Sequence, residues 1–163
     1  MKKVIISILL ALTLLFTPAV TAISFAQDIS DTEILRLMNE ERRKQGLVEF
    51  KLNPMLSSAA YSKANDMFQK QYWAHNSPQG KTPWQFISES GYQGRFLGEN
   101  LANGYTSPEG VVAAWMASPG HRMNILAGKY SDAGISVVNG NLNGRDITLV
   151  VSMFGGKYMF STN

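Results

Sequence analysis

The hydrophobic pattern of this chain changes period once, and that change limits the folds open to it. Up to about Leu126 the apolar side chains recur at helical spacing. From Gly134 onward Ile147, Leu149, Val151 and Met153 alternate with other residues, as half-buried strands do. Asn139-Gly140 and Asn143-Gly144 bracket the reversal between Ile135-Ser136-Val137-Val138 and that strand, which predicts an antiparallel hairpin. Helices first and strands last argue for an α+β domain in layers, against an alternating parallel-sheet fold.

The helical part is punctuated by residues that satisfy free backbone N–H groups. Ser30-Asp31-Thr32-Glu33 has the form of a capping box. Behind it Ile34, Leu37 and Met38 form one face, Arg36, Asn39, Glu40 and Arg43 form the other, and the helix ends near Gln45-Gly46. Leu47 to Leu52 reads as an extended link. Asn53-Pro54 opens a second helix, whose Leu56, Ala59, Ala60, Ala64 and Met67 make a stripe of mostly small residues suited to close packing. Residues 72–80 are too rich in turn formers for regular structure. A third helix runs from Thr82-Pro83 to about Ser90-Gly91. A fourth starts at Ser107-Pro108-Glu109 and buries Val111, Val112 and Trp115, and Ser118-Pro119-Gly120-His121 ends it. A last short helix spans Met123 to Leu126.

The N-terminus reads as an export signal. Met1-Lys2-Lys3 is positive, Val4 to Phe16 is nearly all apolar, and Ser24-Phe25-Ala26 has small residues where a signal peptidase cuts, so residues 1–26 are expected to be removed and a single domain to span 27–163. An uncleaved membrane anchor is the alternative, but the apolar run is short against the roughly 20 residues a helical span needs. Two of the 15 basic residues, Lys2 and Lys3, lie in this segment, which leaves 13 against 12 acidic ones. A near-neutral domain offers no electrostatic footprint for nucleic acid. Export permits disulfides, yet the chain has no cysteine, so its core alone must hold it and no cysteine-linked lipid anchor is available.

Two histidines occur, His75 and His121, each in a polar segment beside an aromatic residue and a proline, with Glu99 between them in Gly98-Glu99-Asn100. Two neutral imidazoles and a carboxylate suffice to bind a divalent ion such as zinc with a position left open. The same three residues can instead pin their own loops by hydrogen bonds, and the spacing does not decide. Ser118, three positions before His121 and followed by Pro119, has the arrangement of a helix cap rather than of a nucleophile. Trp115 occupies a core position, whereas Trp73 and Trp84 flank the His75 loop and either line a groove or roof the core. The eight methionines read as gap fillers.

Three segments in order, Ala74-His75-Asn76-Ser77-Pro78, Leu97-Gly98-Glu99-Asn100-Leu101-Ala102 and Trp115 to Leu126 with Ser118-Pro119-Gly120-His121 inside, closely resemble the bacterial branch of the CAP superfamily, the SCP-like extracellular proteins. The similarity runs from Ile34 to Phe154. It implies an α-β-α sandwich, with a mostly antiparallel sheet between helices and a central cleft where His75, Glu99 and His121 meet. In many members that cleft is reported to bind divalent metal. In the eukaryotic branches a second glutamate completes a tetrad, and Ser118 stands in its place here. The disulfides of those relatives are absent as well.

These readings converge on a secreted or envelope-associated binding module without a permanent membrane anchor. His75 and His121 would hold zinc or a similar ion, and Glu99 would accept a hydrogen bond or supply a ligand. Asn100 would orient the cleft, and Ser118 would cap a helix. Two alternatives stay open. One is a metal-dependent hydrolase of peptide or cell-wall bonds, in which Glu99, His75 and His121 do the chemistry and Glu99 is the base. The other is a carrier of a lipid or sterol-like apolar ligand, for which Phe86, Tyr92 and Phe96 are candidate lining residues and equally good core residues. A fold shared by many functions names neither substrate nor partner.

Overall fold

The computed structural model describes residues 29–156 of the chain. The expected leader with its cleavage site, and the start of the expected mature chain at Gln27, lie outside the described residues. Within them, local capping chemistry places the first four helices where the sequence indicates. α1 (Asp31–Lys44) starts at Ser30, whose Oγ accepts from the Glu33 N–H at 3.2 Å. The reciprocal half of the expected box is not made, because Glu33 turns its carboxylate to Arg36. α2 (Pro54–Lys70) is capped by Asn53, which accepts from Met55 and Leu56 N–H groups. α3 (Pro83–Glu89) begins at Thr82, whose N–H donates to Gln85 Oε1 at 2.8 Å. α4 (Pro108–Ala117) begins at Ser107, whose Oγ accepts from Gly110 N–H. α5 (Pro119–Ile125) follows after a single residue, Ser118, and starts four residues ahead of the expected Met123, because Pro119 serves as a first helical residue, so His121 lies inside a helix.

Four strands form one sheet: β1 (Lys51–Leu52), β2 (Phe96–Asn103), β3 (Asp132–Leu142) and β4 (Arg145–Gly156), in the order β1-β3-β4-β2. β3 and β4 are the expected hairpin, and β2 pairs antiparallel with β4, while the short β1 lies parallel to β3. One detail of the reversal differs from the sequence reading. The turn is Asn143-Gly144 alone, both at positive φ (52° and 81°), the geometry of a two-residue hairpin turn that follows the strand twist. Asn139-Gly140 is inside β3, paired with Thr148 and Ile147. A Cβ at Gly140 would sit 3.0 Å from the Phe68 ring of α2, so this glycine admits a helix side chain instead of making a turn.

The sheet is the middle layer of an α-β-α sandwich. Leu101, Leu149, Val151 and Met153 face α2 and α3, and pack with Leu56, Ala59, Ala60, Met67, Phe86 and Ile87. Ala102, Ile135, Val150 and Phe154 face α1, α4 and α5, and pack with Ile34, Met38, Val111, Trp115 and Ile125. Each fully buried large apolar side chain among these contributes about 1.5–3 kcal/mol, and the chain has no cysteine to add to that.

Three polar residues are buried where periodicity alone suggested solvent or did not flag them. Asn39, on the expected polar face of α1, is 6% exposed and exchanges two hydrogen bonds with the Phe50 backbone. Arg42, 1% exposed, donates to the carbonyls of Val48, Ile125, Ala127 and Tyr130 and lies over the Phe50 ring. Its guanidinium thereby ties α1 to the C-terminal end of α5, where free carbonyls need donors. Lys63 is fully buried in the stripe of α2.

Candidate functional site

β2, which the sequence reading left without a strand, organises the site. It is an edge strand, and the Gly104 N–H to Thr148 O bond beyond its end makes the even-numbered residues the ones that bond β4. The carbonyls of residues 97, 99 and 101 therefore point off the sheet. Each is taken by a side chain: Leu97 O accepts from Tyr130 Oη at 2.7 Å, Glu99 O from Asn124 Nδ2 at 3.1 Å, and Leu101 O from Trp115 Nε1 at 3.1 Å. These donors close an edge that would otherwise invite another strand. Gly98 makes room for them, since a Cβ there would come within 2.9 Å of Tyr130 Oη and 3.2 Å of Asn124 Oδ1.

Strand alternation sends Glu99 toward the α2/α3 layer and Asn100 toward the α1/α4/α5 layer. Glu99 Oε1 pairs with His75 Nδ1 at 2.5 Å. The carboxylate is 1% exposed and the imidazole 58% exposed, so a buried acid holds one edge of a ring whose other edge is turned outward. Glu99 Oε2 is buried with no hydrogen-bond partner among the described residues. Burial pushes the Glu99 carboxyl above its usual range, against the pull of the His75 hydrogen bond and of the Lys63 charge. The same hydrogen bond raises the His75 imidazole.

Asn100, fully buried, donates through Nδ2 to the His121 carbonyl at 3.1 Å, and its Oδ1 accepts from Asn124 Nδ2 at 2.9 Å. His121 is thus held by its backbone near the start of α5. Its imidazole is half-buried and is lowered by desolvation and then by the nearby charge of His75. The structure therefore joins His75 to Glu99 directly, whereas the His121 ring bonds neither of them among the described residues and is tied to the site through its backbone carbonyl. Among the described residues no group of three or more His, Cys, Asp or Glu side chains is arranged to hold a metal ion. Ser118 sits at the joint of α4 and α5; its N–H bonds the Ala114 and Trp115 carbonyls, and its side chain makes no capping hydrogen bond.

A half-open cleft of about 260 Å³ lies over the pair, lined by His75, Asn76, Pro83, Trp84, Leu97, Gly98, Glu99 and Asn124. Trp84 is 45% exposed and forms its apolar wall, and Trp73 is also exposed, while Trp115 is buried in the core. Phe86 and Tyr92 are core residues, and Phe96 packs against the core. A larger hollow by the hairpin, lined by Tyr105, Asn139, Asn141, Asp146 and Thr148 among others, contains no imidazole.

Lys63, Asn124 and Tyr130 also build this site, and the sequence reading did not single them out for it. Lys63 carried a legible signal, a charge four residues after Ala59 and four before Met67 on one apolar stripe. Nothing local marks Asn124 or Tyr130.

The layers and the capped sheet edge define a cysteine-free sandwich that presents an imidazole–carboxylate pair on its rim. The chain belongs to the cysteine-rich secretory protein (CAP) family, whose family model matches residues 35–154. It is 39% identical over 108 residues to YkwD of Bacillus subtilis, an uncharacterized protein, covering 66% of this chain and 42% of that one. YlbC of the same organism, an uncharacterized membrane protein, is 29% identical over 68% of this chain and 32% of its own length. The chain thus spans less than half of either relative. Among solved structures, an SCP-domain extracellular protein of Bacillus anthracis superposes with a TM-score of 0.67 at 22% identity, covering 77% of this chain and 40% of that one. An outer surface protein of Borrelia burgdorferi gives 0.65 at 23%, covering 81% and 98%. At such identities the likeness shows the fold. No helix among the described residues is long and apolar enough to cross a membrane.

Proposed function

We propose that this protein is an extracellular binding module whose cleft captures a divalent metal ion through two imidazoles, with zinc the best match to the donors. His75 would coordinate through Nε2 and His121 through its ring, and Glu99 would orient His75 without being a ligand itself. The observation that carries this reading is the pairing of His75 Nδ1 with a buried carboxylate. A ring whose Nδ1–H is donated to an acid offers Nε2 as a lone pair of fixed direction, the arrangement in which carboxylate–histidine pairs serve metals. His121, whose imidazole is lowered first by desolvation and then by the charge of His75, would supply the second nitrogen from beside the cleft. Two protein ligands would leave the remaining positions of a tetrahedral ion to water or to a group on a binding partner.

An extracellular setting is supported by the charged and apolar N-terminal segment and by the extracellular and outer-surface neighbours. Calorimetric titration of chelator-treated protein with zinc at pH 7.5 tests the site. The wild type binds one ion, and His75→Ala and His121→Ala each weaken it at least tenfold. Binding that is absent in the wild type, or unchanged in both variants, overturns the reading.

A hydrolase of peptide or cell-wall bonds is the second reading, favoured by the raised carboxyl of Glu99 beside an imidazole, a combination suited to proton transfer. Turnover of peptidoglycan or peptide that disappears in Glu99→Gln would establish it. An apolar-ligand carrier has less support, because Phe86 and Tyr92 are buried in the core.

A further inference from the structure

The His75 loop (residues 72–80) contains neither helix nor strand, yet its imidazole meets a buried carboxylate across the cleft. Something must hold the loop backbone in place, and the structure offers Lys63. This side chain is fully buried in α2, and its ammonium group makes three hydrogen bonds: to Ala74 O at 2.8 Å, to His75 O at 2.7 Å and to Tyr72 Oη at 3.0 Å. Tyr72 in turn donates to Asp66 Oδ2 at 2.7 Å, which fixes the third acceptor from the same helix. The Tyr72 and Phe86 rings lie under the cation at 4.6 and 5.6 Å.

An ammonium has three N–H donors, and all three are used, two of them on consecutive carbonyls that end at the histidine itself. A buried lysine retained only for packing would be replaced at little loss by methionine or leucine, since burying a charge is costly unless every donor is paired. The two carbonyls explain the charge. A loop has no ladder of its own to satisfy them, and one cation reaching up from a rigid helix satisfies both at once.

We propose that Lys63 is the positioning residue of the site: by gripping the carbonyls of residues 74 and 75 it presents the His75 imidazole to Glu99 with Nδ1 inward and Nε2 toward the cleft. This rests on the metal-cleft reading only for its consequence on zinc, and the ring geometry can be read without any metal.

The experiment is long-range ¹H–¹⁵N NMR of the two imidazoles in metal-free protein at pH 8, with zinc titration as a second arm. Lys63→Met removes the donors and keeps an unbranched stem out to the ε position. Because the chain has no cysteine, Lys63→Cys can be alkylated selectively in denaturant with 2-bromoethylamine and refolded, which rebuilds an amine one sulfur away from lysine. Wild-type His75 is expected to be the Nδ1–H tautomer with a downfield, hydrogen-bonded proton. In Lys63→Met that signal is lost and His75 reverts to the mixture of a free imidazole, while His121 is unchanged. Aminoethylation restores the wild-type pattern.

If the wild type binds zinc, Lys63→Met weakens it at least tenfold and aminoethylation recovers it. If the wild type binds none, the metal reading fails and the tautomer still decides the role of Lys63. A folded Lys63→Met protein with the wild-type His75 signature overturns the proposal, as does an aminoethylated protein that folds without it. Tyr72→Phe, which removes one acceptor and leaves the amine on both carbonyls, keeps the test open should Lys63→Met not fold. It is expected to retain the His75 signature, and loss of that signature would assign the positioning to the tyrosine instead.

Discussion

The two histidines are held in opposite ways. His75 stands on a loop, mostly exposed, and is gripped by its ring, with Nδ1 on the buried carboxylate of Glu99. His121 stands on a helix, half-buried, and is gripped by its backbone, whose carbonyl accepts from the Asn100 amide while the ring has no hydrogen bond among the described residues. The two holders are neighbours on β2, and alternation along the strand sends one into each helical layer. A single edge strand therefore reaches both sides of the sandwich with consecutive side chains. One imidazole is oriented and electrostatically tuned, and the other is placed in space with a freer ring.

The sharpest way to break this difference is to cut the backbone grip. Asn100→Leu removes a fully buried amide, takes the donor from the His121 carbonyl and leaves Asn124 Nδ2 with Glu99 O as its remaining acceptor. An unfolding free energy about 2–4 kcal/mol lower is expected, from two lost hydrogen bonds and the desolvation of the groups left behind. Denaturant unfolding measures it, and a loss below about 1 kcal/mol would mean that α5 is held mainly by Arg42.

Cutting the ring grip acts on chemistry instead. In Glu99→Gln the His75 midpoint should fall back toward the unperturbed value of about 6.5, because the carboxylate that raises it is gone. Zinc affinity should fall roughly tenfold, as removal of a carboxylate behind a ligating histidine commonly does. In the wild type, NMR titration should find His75 above and His121 below that value. Their linkage to folding has opposite signs. The raised imidazole of His75 stabilises the fold fully below about pH 6.5, and that contribution fades as pH rises through its folded midpoint. The depressed imidazole of His121 contributes fully above about pH 6.5 and is lost as pH falls through its own lower midpoint. Midpoints in the reverse order would contradict the assignment of which ring the carboxylate holds.

The smallest effect is expected at the helix joint. Ser118→Ala should change thermal stability by no more than about 0.5 kcal/mol, since the side chain makes no capping bond even though the residue ends α4 and starts α5. A loss near the roughly 1 kcal/mol of a working cap would restore the capping role.

Much of the fold was legible because it is written in short-range chemistry. Ser30, Asn53, Thr82 and Ser107 each announce a helix through a polar atom that can reach an N–H two or three residues on, and the structure begins its helices there. The alternation of β4 and the Asn143-Gly144 turn are likewise local. β2 was not legible, because its burial comes from both layers and its middle is a glycine, an acid and an amide, which leaves no period to read. Helical spacing puts Asn39 on the solvent face of α1, because it does not foresee that the Phe50 backbone will need a donor and an acceptor.

The sequence alone determined the starts of the first four helices, the closing hairpin and the residue types on which any chemistry must draw, since each depends on neighbours a few positions apart. Only the tertiary structure decided that Glu99 would be buried against His75, that Asn100 would turn the other way to hold α5, and that Lys63 would sit beneath the loop. Those outcomes depend on which layers close over which edge of the sheet, and buried polar groups 12 to 25 residues apart find their partners only when those layers meet.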